Sequence, residues 1–156
     1  MPTFPQFGGH GYDGAAEAGY IVRLLSRHSH FLNEEEFVAV PFLFYREAKE
    51  KGLLSDFLEL EGRFLAFFDE IGERGVRRIT SPNHDRPMHP GSSRTRRYFQ
   101  RGLREVGQFD VFFPHHRARF VAGHDMEFLV FLTDPDTVPE LEDAAARAGL
   151  FLLGWE

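Results

Sequence analysis

The apolar residues Phe57, Leu60, Phe64, Phe67, Phe68 and Ile71 recur at intervals of one, three or four, and downstream of them the hydrophobic period changes to two. A helix with so broad an apolar face needs a comparable surface to lie on. The runs FDVFF (109–113), RARFVA (117–122) and EFLVFLT (127–132) read as strands that would provide one. An α+β fold follows, with helices laid on a sheet. Ser55 is the expected cap of the helix, and Gly72 and Gly75 end it.

The remaining elements are read from the same signals. Residues 1–14 are rich in Gly, Pro and Phe and form an irregular arm. From Ala15 to His28 the residues Ile21, Leu24 and Leu25 fall at helical spacing, with Asp13 as cap. Asn33 followed by Glu34, Glu35 and Glu36 is a capping box. The run FVAVPFLFYREAKEK beyond it holds Pro41, which removes a backbone donor. It is either a kinked or interrupted helix ending at Gly52, or an edge strand over 37–45. VRRIT (76–80) is a strand, SPNHDRPMHPGSS (81–93) a loop and 93–106 a helix. A helix over Val138–Ala148 then leads into the strand FLLGW (151–155). With FDVFF and its continuation counted as one bent strand, residues 74–156 take the βαββαβ order of a ferredoxin-like half. Residues 1–73 form a Phe-rich helical layer packed on it, the whole of 1–156 making a single domain.

Composition narrows the chemistry. With no cysteine there is no disulfide, thiolate nucleophile or Cys-ligated metal. The longest strongly apolar run, FVAVPFLFY, is far shorter than the ~20 residues a membrane helix needs. No membrane association is expected, and a cytoplasmic location is the default. The net charge of −6 is unevenly spread. Residues 1–73 hold 6 basic and 13 acidic side chains (−7), 74–104 hold 9 Arg against Asp85 alone (+8), and 105–156 hold 3 basic and 10 acidic (−7). A basic middle between acidic flanks bears on partners rather than on fold.

That basic middle contains HPGSSRTRRYFQRGLRE (89–105). On a helical wheel Arg94, Arg97, Arg101 and Arg104 form one stripe, opposite Tyr98, Phe99, Gly102 and Leu103, while Arg96 stands apart. Arginines in the first turn oppose the helix dipole. Three uses compete: pairing with acidic side chains such as Glu34–Glu36, Asp69, Glu70 or Glu73; an acidic protein partner; and a phosphorylated ligand or nucleic acid.

The histidines form no metal motif. His28 and His30, His84 and His89, His115 and His116, and His124 lie at element ends or in loops, without H-E-x-x-H spacing. No metal or other cofactor is expected. His84 and His89 are the alternative catalytic pair, as general acid and base on a phosphodiester held by the nearby arginines.

The C-terminal run FLVFLTDPDTVPELEDAAARAGLFLLGWE ends strand–helix–strand on Gly154, Trp155 and Glu156. In this it resembles ferredoxin-like bacterial regulators that inhibit ribonuclease E. The resemblance implies a non-catalytic inhibitor that binds another protein, and it assigns no binding residue. A protein-binding inhibitor or toxin-neutralising immunity-type protein is therefore expected, with a toxin or nuclease as partner and Arg94, Arg96, Arg97, Arg101 and Arg104 as binding residues. The alternative is a phosphate or nucleic-acid binder, or a His/Arg phosphodiesterase, using residues 84–104.

Overall fold

The computed structural model describes residues 19–81 and 84–155. Among them are the strands β1 (Ile21–Ser26), β2 (Val76–Ser81), β3 (His84–Met88), β4 (Asp110–Phe113), β5 (Ala118–Ala122), β6 (Phe128–Leu132) and β7 (Phe151–Gly154). The described α-helices are α1 (Glu34–Ala39), α2 (Tyr45–Glu50), α3 (Leu54–Gly72), α4 (Ser93–Leu103) and α5 (Val138–Arg147). The strands form one antiparallel sheet in the order β3-β2-β4-β5-β6-β1-β7.

Helix α3 packs along one sheet face through the apolar stripe legible in the sequence. Phe57, Phe64, Phe67, Phe68 and Ile71 are buried against Val111, Phe113, Phe120, Phe128 and Val130. Phe68 is the hub, with ring centroids 5.0–6.2 Å from Phe99, Phe109, Phe113, Phe120 and Phe128. Offset and edge-on rings of this kind add to the burial energy of each side chain. Helices α4 and α5 flank α3 on that face, contributing Phe99, Leu103, Leu141 and Ala145. The opposite face carries smaller clusters, Val22 with Phe131 and Ile79 with Phe112.

Several expectations change. The helix expected over Ala15–His28 is instead strand β1 where it is described, and Asp13 lies outside the described residues. Ile21 and Leu25 face the helices, and Val22 and Leu24 the other side, because β1 sits between β6 and β7. An interior strand apolar on both faces loses the two-residue alternation and imitates helical spacing. The N-terminal segment is thus not purely a helical layer, and β1 completes the sheet of the C-terminal segment. Within the proline-rich loop expected over 81–93, His84–Met88 instead forms edge strand β3. Pro87 is tolerated there because an edge strand has a row of backbone groups outside the ladder. Leu53 rather than Ser55 precedes α3.

Other local signals are obeyed. Asn33 accepts from the Glu36 N–H at 2.9 Å and the Glu36 carboxylate accepts from the Asn33 N–H at 3.2 Å, closing the capping box. Pro41 separates α1 from α2, so this run is an interrupted helix. None of the described helices is long and apolar enough to cross a membrane.

Candidate functional site

The basic middle of the chain becomes one end of the molecule, since β2, β3 and α4 lie together at the β3 edge of the sheet. The row of arginines on α4 is not uniformly open. Arg104 forms a two-pronged pair with the buried Glu61 carboxylate, 2.7 and 2.8 Å, and lies over the Tyr45 ring at 5.0 Å. Its pKa is raised, chiefly by the hydrogen bond to Glu61. Arg96 reaches Asp69 at 3.0 Å. Arg101 donates to the Val106 carbonyl at 3.1 Å. Arg94 and Arg97 are exposed and make no ion pair among the described residues. Acidic residues of the N-terminal segment therefore take up two of the five expected binding arginines, and Arg94, Arg97 and Arg101 stay on the surface.

Arg94 does not stand alone. It lines a cleft of about 380 Å³ with Arg78, Arg86, Met88, His89 and Tyr98. Strand alternation builds this grouping. Arg77 and Asp85 pair on one face of the β2–β3 ribbon. Arg78 and Arg86 sit directly opposite one another on the other face, beside Val76 and Met88. The Arg78 guanidinium lies over the Tyr98 ring at 5.6 Å, and the Tyr98 hydroxyl accepts from the Asp110 N–H at 3.0 Å. Burial pushes the Tyr98 pKa up. His89 is fixed through its backbone, its carbonyl accepting from the Thr95 hydroxyl at 2.8 Å. Ser92 caps the helix by accepting from the Thr95 N–H at 3.2 Å. Among the described residues no carboxylate lines the cleft. Arg78 and Arg86 escaped the sequence reading because their meeting depends on a strand register, and HDRPM reads as loop.

The histidine pair does not converge. His84 opens β3 and contacts Ser81 Oγ at 2.9 Å, whereas His89 follows the strand's last residue. Five residue steps along an extended strand separate them by roughly 15 Å, too far to flank one scissile bond. Among the described residues no three His, Asp or Glu side chains gather as a metal site.

At the other sheet edge the chemistry is different. Phe31 (43% exposed) packs on Trp155 (39%) with ring centroids 5.0 Å apart. Phe37 (45%) shares a cleft with Phe31, and Phe151 (41%) lines a neighbouring one with Leu32 and Glu36. A cleft of about 190 Å³ joins Phe31 and Phe37 to Leu153, Arg27, Asp125 and Glu127. Burial raises the Glu127 pKa, and the neighbouring Asp125 raises it further. Arg27 is committed inward, donating to the Phe42 carbonyl and lying over the Phe42 ring at 5.0 Å. Glu34 and Glu35 are exposed at the start of α1. The Glu36 carboxylate accepts from His30 Nε2 at 2.5 Å, and that bond holds its carboxyl below the usual range. The sequence reading missed this surface because its aromatics come from 31–38 and 151–155, brought together only by the β1–β7 pairing.

No protein-family model matches the chain, and neither does any curated protein or solved structure.

Proposed function

We propose that the protein acts without catalysis, by binding a cationic protein through the aromatic surface beside β7. The observation that carries this reading is the stack of Phe31 on Trp155 with Phe37 in the adjoining cleft and Phe151 further along β7, each more than a third exposed at an edge strand. Exposed apolar groups gathered in this way, with a polar rim, are typical of interaction sites. The strand FLLG has no charge or proline to discourage pairing, unlike β3 at the opposite edge. The rim selects the partner's charge. Asp125 and Glu127 line the cleft with Phe31 and Phe37, and a partly desolvated carboxyl with an acidic neighbour gains most from an incoming Lys or Arg. An inhibitor of a basic enzyme, such as a nuclease or toxin, fits this description.

The topology is compatible with the resemblance to inhibitors of ribonuclease E. We read β1, α3, β5, β6, α5 and β7 as a ferredoxin-like split βαβ arrangement, with residues 76–113 inserted before β5. The test is affinity capture with the tagged protein, followed by titration of the captured partner. Phe37→Ser and Phe151→Ser should each weaken that complex at least about tenfold, as truncation of a central aromatic does. Unchanged affinity in both variants sinks the reading. So does RNA or nucleotide hydrolysis by the purified protein that His84→Ala or His89→Ala abolishes.

A further inference from the structure

We propose that the cleft between β2, β3 and the start of α4 binds a small phosphate ester. The site lies at the opposite sheet edge from the aromatic surface and does not depend on its function. Its basis is an uncompensated grouping of charge. Asp85, the one acidic residue in 74–104, is turned to the other face of the β2–β3 ribbon and taken by Arg77. Arg78 and Arg86 are left opposite each other, and Arg94 enters the same cleft from α4. Like charges directly opposed on neighbouring strands repel, and an anion seated between them converts that repulsion into attraction.

The arrangement is built rather than loose. Tyr98 is held by the Asp110 backbone and supports the Arg78 guanidinium, while the Thr95 hydroxyl anchors the His89 carbonyl. The planar forks of arginine match the oxygens of a tetrahedral phosphate better than a point charge would. A volume of about 380 Å³ exceeds the needs of a bare phosphate, and Met88, Pro87 and Tyr98 offer apolar surface for an organic group. Small size follows from the charge map. Net charges of −7 on each flanking segment repel a long polyanion that extends beyond the cleft.

The experiment is calorimetric titration with phenyl phosphate at fixed ionic strength, with inorganic phosphate and a single-stranded RNA 20-mer as comparisons. Saturable one-to-one binding of phenyl phosphate, tighter than that of inorganic phosphate, is expected. Arg86→Gln and Arg94→Gln should each weaken it roughly ten- to hundredfold, the range for losing charged hydrogen bonds. Arg97→Gln, on the same helix outside the cleft, should leave it unchanged. Melting curves of the three variants establish that each is folded. Absence of saturable binding to the wild-type protein overturns the proposal. Equal binding of inorganic phosphate overturns the ester assignment. An equal loss in Arg97→Gln, or tighter binding of RNA weakened alike in all three variants, assigns the charge to a diffuse polyanion surface instead.

Discussion

Arg104, at the end of α4, is joined to Glu61, in the middle of α3, by two hydrogen bonds of 2.7 and 2.8 Å. Glu61 is only 3% exposed, so its carboxylate lies on the core side of the helix packing and depends on this one guanidinium. Removing one partner strands the other, which costs far more than the pair contributes. Arg104→Ala is expected to lose roughly 3 kcal/mol in urea unfolding. The double variant Arg104→Leu with Glu61→Leu should come within about 1 kcal/mol of wild type. A single variant no worse than the double would mean that Glu61 is not desolvated.

Gly102 lies inside α4, where alanine would ordinarily improve the helix. Here an added Cβ would come within 2.5 Å of the Phe109 ring and 2.7 Å of the Phe109 Cβ. Phe109 is buried and packed on Phe68 at 5.0 Å, so it has little room to retreat. Gly102→Ala should therefore destabilise by roughly 1–3 kcal/mol, the usual cost of overpacking, despite its better helix propensity. Thermal denaturation decides the sign.

Phe68 joins α3 to helix α4, strands β4, β5 and β6 and the loop before β4 through ring contacts. Phe68→Ala should cost roughly 3–5 kcal/mol by the lost burial and the cavity left behind. Phe68→Leu should recover more than half of that. Chemical denaturation of both variants gives the comparison.

Repulsion between Arg78 and Arg86 predicts that the ligand-free protein is better off without one of them. Arg86→Gln should raise Tm by about 1–3 °C in low salt, from the size of cross-strand charge effects and the entropy of unfolding for a chain of this length. The gain should shrink as salt is added, because both side chains are exposed. A lower Tm at every salt concentration would point to an attractive contact at Arg86.

Burial raises the pKa of Glu127 in the fold, and Asp125 adds to the shift. A raised carboxyl pKa means that the folded state holds its proton more tightly than the unfolded chain does. Its stabilising contribution is complete below the unfolded value of about 4.3 and disappears as pH rises through the folded value. Glu127→Gln should therefore be more stable than wild type at pH 7, with the gain fading by about pH 4. Urea midpoints at the two pH values test it.

Much of this architecture is written locally. The Phe57–Ile71 stripe, the helices beginning at Ser93 and Val138, the strands over 109–132 and the Asn33–Glu36 cap all depend on neighbours a few residues away. Side-chain spacing and hydrogen bonding to adjacent backbone are enough to specify them. The concentration of arginine between 74 and 104 is equally legible, and it persists as a basic end of the sheet.

Other features were decided only by tertiary structure. The Ile21–Ser26 segment is a strand because β6 and β7 pair with both of its edges, and burial on two faces erases the alternation that would announce it. HDRPM is a strand because β2 offers it a ladder. The same pairing sets Arg78 against Arg86, and helix packing gives Arg104 to Glu61 across 43 positions of sequence. Local periodicity determines which way a side chain points, but its neighbour is determined by register and packing between segments far apart in the chain.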